Sequence, residues 1–191
     1  MIVRSAGVAD APAIQEIWNH MIENTLFTFN AQPRSLTEVE AMIKTREGGF
    51  FVAQDPAPPA GQIGEGRAPE GVAGFVTFAQ FRGGVGYAAT VEHTIALRAG
   101  AAPRGAGRAL MVRAMQAAAD KGHHIMVAAI TGDNPRAVAF HRGLGFEHSG
   151  FMPQVGYKWG AWRDLILMQK TLEPRPAGTP IEGAENPDGC G

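Results

Sequence analysis

Cysteine is almost absent from this chain. Of 191 residues only Cys190 carries a thiol. A single cysteine cannot build an internal disulfide framework, which fits a reducing compartment. It sits in a polar stretch and is not followed by two aliphatic residues, so it carries no prenylation signal and reads as a bystander thiol. An excess of one charge is missing too. Seventeen Lys+Arg stand against eighteen Asp+Glu, a net charge of −1, and nothing favours nucleic acid or a membrane surface as a partner. No apolar run reaches the ~20 residues of a membrane span. Met1-Ile2-Val3-Arg4 lacks the layout of a signal peptide, so a cytoplasmic protein is expected. There is no internal repeat, and no His/Cys/Asp/Glu spacing points to a metal site. What is present is 45% hydrophobic residues over the whole length, enough for one domain with a real core.

Hydrophobic periodicity divides that length into alternating types. A short strand is expected over 1–5. Asp10 is placed to cap a helix with Pro12 in its first turn, and Ile14, Ile17, Trp18, Met21 and Ile22 recur at helical spacing. An alternating aromatic segment, Thr25 to Asn30, follows. Ser35-Leu36-Thr37-Glu38 resembles a capping box that opens a second helix to about Glu47. Strands are expected at 49–54 and 71–81, paired across a Pro/Gly-rich excursion at 55–70. Gly83, Gly84 and Gly86 then form a loop. A strongly apolar strand is expected from His123 to Ile130, with His123 and His124 solvated at its start. A helix capped by Asp133 or Asn134 follows, then strands near 146–152 and 165–172. The segment 173–191, with four prolines and several glycines, is expected to be a disordered tail. The order βααβββαβαββ argues for an α/β (α+β) layer fold with one mixed sheet over residues 1–172.

The chain is organised around residues 91 to 110. Val91, His93, Ile95 and Leu97 alternate with Glu92, Thr94 and Ala96, the pattern of a strand. His93 falls on the opposite strand face from Glu92 and reads as structural. From Gly107 the pattern turns helical, with Leu110, Ala114 and Ala117 on one face. Between strand and helix lies a loop with glycines at 105 and 107 and with Arg104 and Arg108 beside them. Free N–H groups at a helix start attract anions, and glycine lets backbone approach a ligand closely. This is a phosphate-sized anion site next to a strand carrying a carboxylate. Gly100 and Gly105 have P-loop spacing, but Ala106-Gly107 follows where Lys and Ser or Thr are required. The dinucleotide pattern would need glycine where Leu110 stands. Alternation alone leaves Glu92 either a solvent-facing strand glutamate or a buried acid.

Arg104-Gly105-Ala106-Gly107 resembles the pyrophosphate loop of the GNAT superfamily of N-acetyltransferases, written Q/R-x-x-G-x-G/A, with Ala102 where Gln or Arg is usual. Asn134-Pro135-Arg136-Ala137-Val138-Ala139-Phe140-His141-Arg142-Gly143-Leu144-Gly145-Phe146 resembles the superfamily's N-x-x-A-x-x-x-Y-x-x-x-G-F segment, with His141 in place of Tyr. That histidine, together with Thr90-Val91-Glu92-His93-Thr94, Met152-Pro153-Gln154-Val155-Gly156-Tyr157-Lys158 and Gly160-Ala161-Trp162-Arg163-Asp164-Leu165, resembles the phosphinothricin and methionine sulfone/sulfoximine acetyltransferase branch.

The resemblance implies a central sheet splayed between two parallel strands and acetyl-CoA as cosubstrate. It implies acetyl transfer to the α-amine of a small amino-acid-like molecule by a homodimeric enzyme. An α-amino group, with pKa near ~8, must lose a proton before it attacks. The resemblance gives that proton to Glu92, with His141 as a second acid–base group; without the motif, His141 reads as a surface or core histidine. It assigns coenzyme binding to Arg104, Gly105, Ala106, Gly107, Arg108 and Ala109 for the pyrophosphate, and to the backbone N–H groups of Ile95 and Leu97 and the side chain of Asn134 for the thioester and pantetheine. For the acceptor it points to Phe27 and Phe29, with Arg82 able to pair an anionic group and Tyr87 shaping the same wall. Ala88 stands where a second arginine is common. Other acceptors (an antibiotic amine, a polyamine, a protein N-terminus) and a non-catalytic acyl-CoA sensor are the alternatives.

Overall fold

In the computed structural model the described residues are 1–54, 71–100 and 102–172. The excursion over 55–70 and the tail over 173–191 lie outside them. Along the chain the elements are β1 (Ile2–Ser5), α1 (Ala11–Asn24), α2 (Leu36–Thr45), β2 (Phe50–Gln54), β3 (Val72–Gln80), β4 (Thr90–Leu97), α3 (Ala106–Asp120), β5 (Ile125–Thr131), α4 (Pro135–Arg142), β6 (Glu147–Lys158) and β7 (Ala161–Thr171). This is the order expected from periodicity. The strands form one seven-stranded mixed sheet, β1-β2-β3-β4-β5-β7-β6. Only β4 and β5 run parallel, and their ladder has three rungs, Thr90↔Ile125, Val91↔Met126 and Glu92↔Val127. Beyond Glu92, β4 stays paired with β3 as far as Leu97↔Gly74. Beyond Val127, β5 stays paired with β7 as far as Thr131↔Leu165. The two central strands therefore part in the middle of the sheet, as the resemblance implied.

Each face of the sheet is covered by helices, because strand alternation supplies apolar side chains to both. Val91, Leu110, Met111, Met126 and Phe146 belong to the core beneath α3 and α4. Trp18, Ile14, Phe50, Phe75 and Ala96 belong to the core beneath α1 and α2. Residues of β4 thus divide: the side of Val91, His93 and Ile95 faces α3 and α4, and the side of Glu92, Thr94 and Ala96 faces α1 and α2.

Several local expectations are corrected. Asp10 stands at the N-cap of α1 without bonding the helix amides. Its carboxylate takes two bonds from Arg4, each 2.7 Å, and one from the Gly7 amide. A bidentate guanidinium outcompetes a neutral amide for the same oxygens. The capping box at Ser35 and Glu38 is present, but α2 ends at Thr45. Thr25 to Asn30 is an irregular loop, not an extended segment, turned by hydroxyl bonds such as Thr25 Oγ1 to the Met21 carbonyl. His123 precedes β5 half-buried, with Nδ1 3.0 Å from the Ala88 carbonyl and its ring edge-on to Phe78. The last two strands are longer than expected because irregularities between His148 and Gly150 and between Met152 and Gly156 absorb Ser149 and the Pro153 segment without ending the ladder. Trp159 and Gly160, both at positive φ, close that hairpin in two residues.

Candidate active site

Where β4 and β5 part, a cleft of about 800 Å³ passes between them and is lined from both faces of the sheet. Glu92, Trp18, Phe27 and Phe29 line it on the α1/α2 side, and Gly107, Asn134, Phe140 and His141 on the α3/α4 side. An unbroken sheet would keep these two groups apart. The gap makes them walls of one cavity.

Its backbone is as informative as its side chains. The Arg98 amide donates to the Ala73 carbonyl on β3, and the Thr90 carbonyl accepts from Phe81 on the same side. In an antiparallel pair alternate residues turn their polar groups toward the partner. Even-numbered residues of β4 therefore face β3, and the N–H groups of Ile95 and Leu97 point toward β5, past the last rung of that ladder. They open into the cleft that both residues line.

The loop before α3 opens the helix with free amides. Gly105 is the N-cap with φ 83, a left-handed conformation that glycine tolerates. Gly107 is buried, and a Cβ there would stand in van der Waals contact with Phe140 and Leu97, at 3.4 and 3.5 Å. The Ala106 amide is used by the Pro103 carbonyl and the Ala109 amide by Gly105. Among the described residues the Gly107 and Arg108 amides have no backbone partner, as expected of a first helical turn. Arg104 and Arg108 are exposed, and Arg108 also reaches the Gly143 carbonyl at 3.3 Å. Asn134 caps α4 by accepting from the Ala137 amide at 3.0 Å. Its side-chain NH₂ has no partner among the described residues.

Glu92 is half-buried, and its carboxylate has no hydrogen-bond or ion-pair partner among the described residues. Burial alone pushes its pKa above the ordinary carboxylate value. His141 is buried, with Nδ1 2.7 Å from the Ala137 carbonyl and Nε2 3.0 Å from Nε2 of His93. His93, read from the sequence as merely structural, is the residue that holds it. Its own Nδ1 lies 2.8 Å from the carbonyl of Val127, the last-rung residue of β5. A carbonyl only accepts, so both Nδ1 atoms carry hydrogen, and the two Nε2 atoms share at most one further proton. Burial lowers the pKa of both rings; for His93 the charge of His141 adds to it, down to about 3. With the two Nε2 atoms 3.0 Å apart, the pair has room for no more than one positive charge. Both nitrogens of His141 are engaged within the protein, whereas the Glu92 carboxylate lines the cleft without a partner among the described residues.

Arg82 and Tyr87 are exposed on the loop between β3 and β4, outside the cleft, with the Arg82 guanidinium 5.6 Å from the Phe81 ring. Three residues that the sequence did not single out as site residues lie at the cleft or behind it. Lys158 on β6 is 2% exposed. Its Nζ donates to the carbonyls of Ile22, at 2.7 Å, and Thr28, at 2.9 Å, tying down the loop that carries Phe27 and Phe29. Gly156 lies against the Phe29 ring. Arg34 reaches the cleft across the face of Trp18. The available signal for Gly156 and Lys158 was the Met152–Lys158 stretch that carries the resemblance; the strand expected over 146–152 stopped short of both, whereas β6 runs to Lys158.

A profile of the Acetyltransferase (GNAT) family matches residues 14–146. The L-methionine sulfoximine/L-methionine sulfone acetyltransferase of Pseudomonas aeruginosa is 37% identical over 172 residues, covering 90% of this chain and 95% of that protein. The structure of yncA from Salmonella typhimurium, determined with its cofactor acetyl-CoA, superposes with a TM-score of 0.81 at 31% identity, covering 100% of this chain and 99% of the other. A GNAT superfamily phosphinothricin acetyltransferase from Sinorhizobium meliloti, in complex with acetyl-CoA, gives a TM-score of 0.82 at 31% identity over 95% of this chain and 94% of that one. The splayed sheet, the glycine loop at the start of α3 and these likenesses agree: the chain belongs to the GNAT family of acetyltransferases.

Proposed function

We propose that this acetyltransferase acts on the α-amine of a small amino-acid-like molecule of the methionine sulfone, methionine sulfoximine or phosphinothricin type. The carrying observation is the half-buried Glu92, without a partner among the described residues, facing a cleft that passes through the sheet at the end of the three-rung ladder. Acetyl-CoA supplies the acetyl group as an activated thioester. The residues fit it: the Gly107 and Arg108 amides, with Arg104 and Arg108 around them, suit the pyrophosphate. The Ile95 and Leu97 N–H groups and the Asn134 NH₂ offer donors along the gap for the thioester oxygen and the pantetheine amides.

On the other wall Glu92 takes the proton that an ammonium must lose. Its raised pKa suits a base working near neutrality. Phe27 and Phe29 cover the acceptor and exclude water. The His93–His141 pair, buried behind, fixes the position of α4 relative to β4 and β5. A homodimer in the cytoplasm, where the thioester donor is made, completes this reading. Tyr157 and Trp162, opposed across the β6–β7 hairpin and 56% and 62% exposed, form an apolar patch suited to a second copy.

The deciding assay is thiol release from acetyl-CoA with L-methionine sulfone, L-methionine sulfoximine, phosphinothricin and a panel of polyamines and peptide N-termini. Release that depends on one of the first three is expected. Release only with the others would reassign the acceptor, and silence throughout would favour a coenzyme sensor.

A further inference from the structure

On its Glu92 face β5 leaves one residue bare. Met126, Ala128 and Ile130 belong to the core beneath α3 and α4. Val127, Ala129 and Thr131 therefore turn to the opposite face. That is the face of Glu92, with which Val127 pairs in the last rung. Val127 is 6% exposed and Thr131 3%, yet Ala129 between them is exposed. Ala129 and Thr131 both line the cleft, as does Leu165, the β7 partner of Thr131. A bare residue between two covered ones, in a central strand, marks a seat in the covering layer.

Thr131 closes the far end of that seat, and its hydroxyl is an orphan. Oγ1 is buried and has no hydrogen-bond partner among the described residues. The backbone around it is held. The Thr131 carbonyl accepts from the Asn134 amide at 3.0 Å, and the Gly132 amide donates to the Asp164 carbonyl at 2.8 Å. A buried hydroxyl with its bond unmade destabilises a fold, and beside a cleft it is explained by a group that a ligand brings. From Ala129 to Thr131 is about 7 Å along the strand, the reach of an extended side chain of methionine length. Because β4 and β5 run parallel, the loop between β3 and β4, which precedes Thr90, lies at the opposite end of the sheet from Thr131.

We propose that Thr131 is a specificity-determining residue for the acceptor: its hydroxyl donates to an uncharged oxygen on the acceptor's side chain, of the sulfonyl type, while the α-carbon lies over Ala129 and the amine is presented to Glu92. The proposal rests on the acetyl-transfer reading of the site. It narrows the substrate class to amino acids whose side chain ends in a hydrogen-bond acceptor about two strand residues from the amine. It leaves the acceptor's anionic end to the loop between β3 and β4, where the resemblance places Arg82.

The test compares L-methionine sulfone with L-methionine, the same molecule without the two sulfonyl oxygens, by titration calorimetry with coenzyme A present and by thiol release from acetyl-CoA. Wild type should bind the sulfone about 10-fold more tightly than methionine. Thr131→Val keeps the shape and removes the hydroxyl. It should raise Kd and KM for the sulfone about 10-fold and leave those for methionine, and KM for acetyl-CoA, unchanged. Thr131→Ser should restore the preference, and serves with Thr131→Ala if the Val variant does not fold. Because the hydroxyl has no partner within the protein, the melting temperature of ligand-free T131V should be no lower than that of wild type. Wild type without a preference for the sulfone, a T131V protein that keeps the preference or loses affinity for both compounds alike, or a T131S protein that fails to restore it would each overturn the proposal. If wild type binds the sulfone but releases no thiol, the acetyl-transfer reading fails, and the calorimetric comparison with T131V still decides the role of Thr131.

Discussion

Gly156 on β6 and Phe29 in the loop after α1 are packed so closely that a Cβ on Gly156 would overlap Phe29 Cδ2. The Phe29 ring occupies the space a side chain would need. Gly156→Ala should therefore displace Phe29 into the cleft. We expect a several-fold rise in KM for the amine with little change in KM for acetyl-CoA, and a loss of about 1–3 kcal/mol in urea unfolding, the usual cost of overpacking. Equal changes in both KM values would show that the ring does not belong to the acceptor wall.

Lys158 holds the same loop from beneath. Lys158→Met keeps the stem but removes the donor to the Ile22 and Thr28 carbonyls. Leaving those carbonyls unpaired costs about 1–3 kcal/mol. The loop from Thr25 to Asn30 should lose protection in amide hydrogen exchange before the rest of the fold does, and protection equal to wild type would show that Lys158 does not anchor it.

Glu92→Gln should lower kcat by about 10²–10⁴-fold, the range for loss of a general base, while acetyl-CoA affinity stays near wild type. Burial raises the Glu92 pKa. The acid limb of kcat against pH should therefore fall above the ordinary carboxylate range and vanish in E92Q. A limb that persists in the variant would assign the titration to another group.

Acid stability should follow the histidines. His93, His141 and His123 all have pKa values pushed below the ordinary 6.5, by burial first in each case, with His93 at about 3. The unfolded chain binds these protons near 6.5 and the native chain resists them. Stability is thus complete above that pH and declines as pH falls toward the native values. Asp10, lowered first by its bonds from Arg4, adds its loss only below its own ordinary 3.8. The melting temperature should drop between about pH 7 and about pH 4.5, and His93→Phe should flatten that slope. A wild-type melting temperature constant over that range would refute the linkage.

What could be read from the sequence were features with a local cause. β4 and α3 were legible because seven residues alternate and the next turn of chain switches to helical spacing around two glycines. Glu92 and His93 were assigned to opposite faces for the same reason, and the core confirms it. The partnership of His93 with His141 was not legible, because the two rings lie 48 positions apart and meet only when α4 packs against the gap. Arg34 stands just before a capping box, where a solvated loop residue is the ordinary expectation. Only the fold of α1 beneath it makes it a wall of the cleft. The extent of β6 was misjudged because glycine and proline read as endings, whereas irregular register lets a ladder continue past them.

The three-rung ladder also bears on how the protein avoids aggregation. Parting β4 from β5 creates two strand edges inside a sheet, each with backbone groups that would template pairing if they lay at the rim. Here they face one another, roofed by helices, so another polypeptide chain meets no exposed row of amides. The hydrogen-bonding capacity of an edge is kept for a slender guest, and the hazard of an edge is removed.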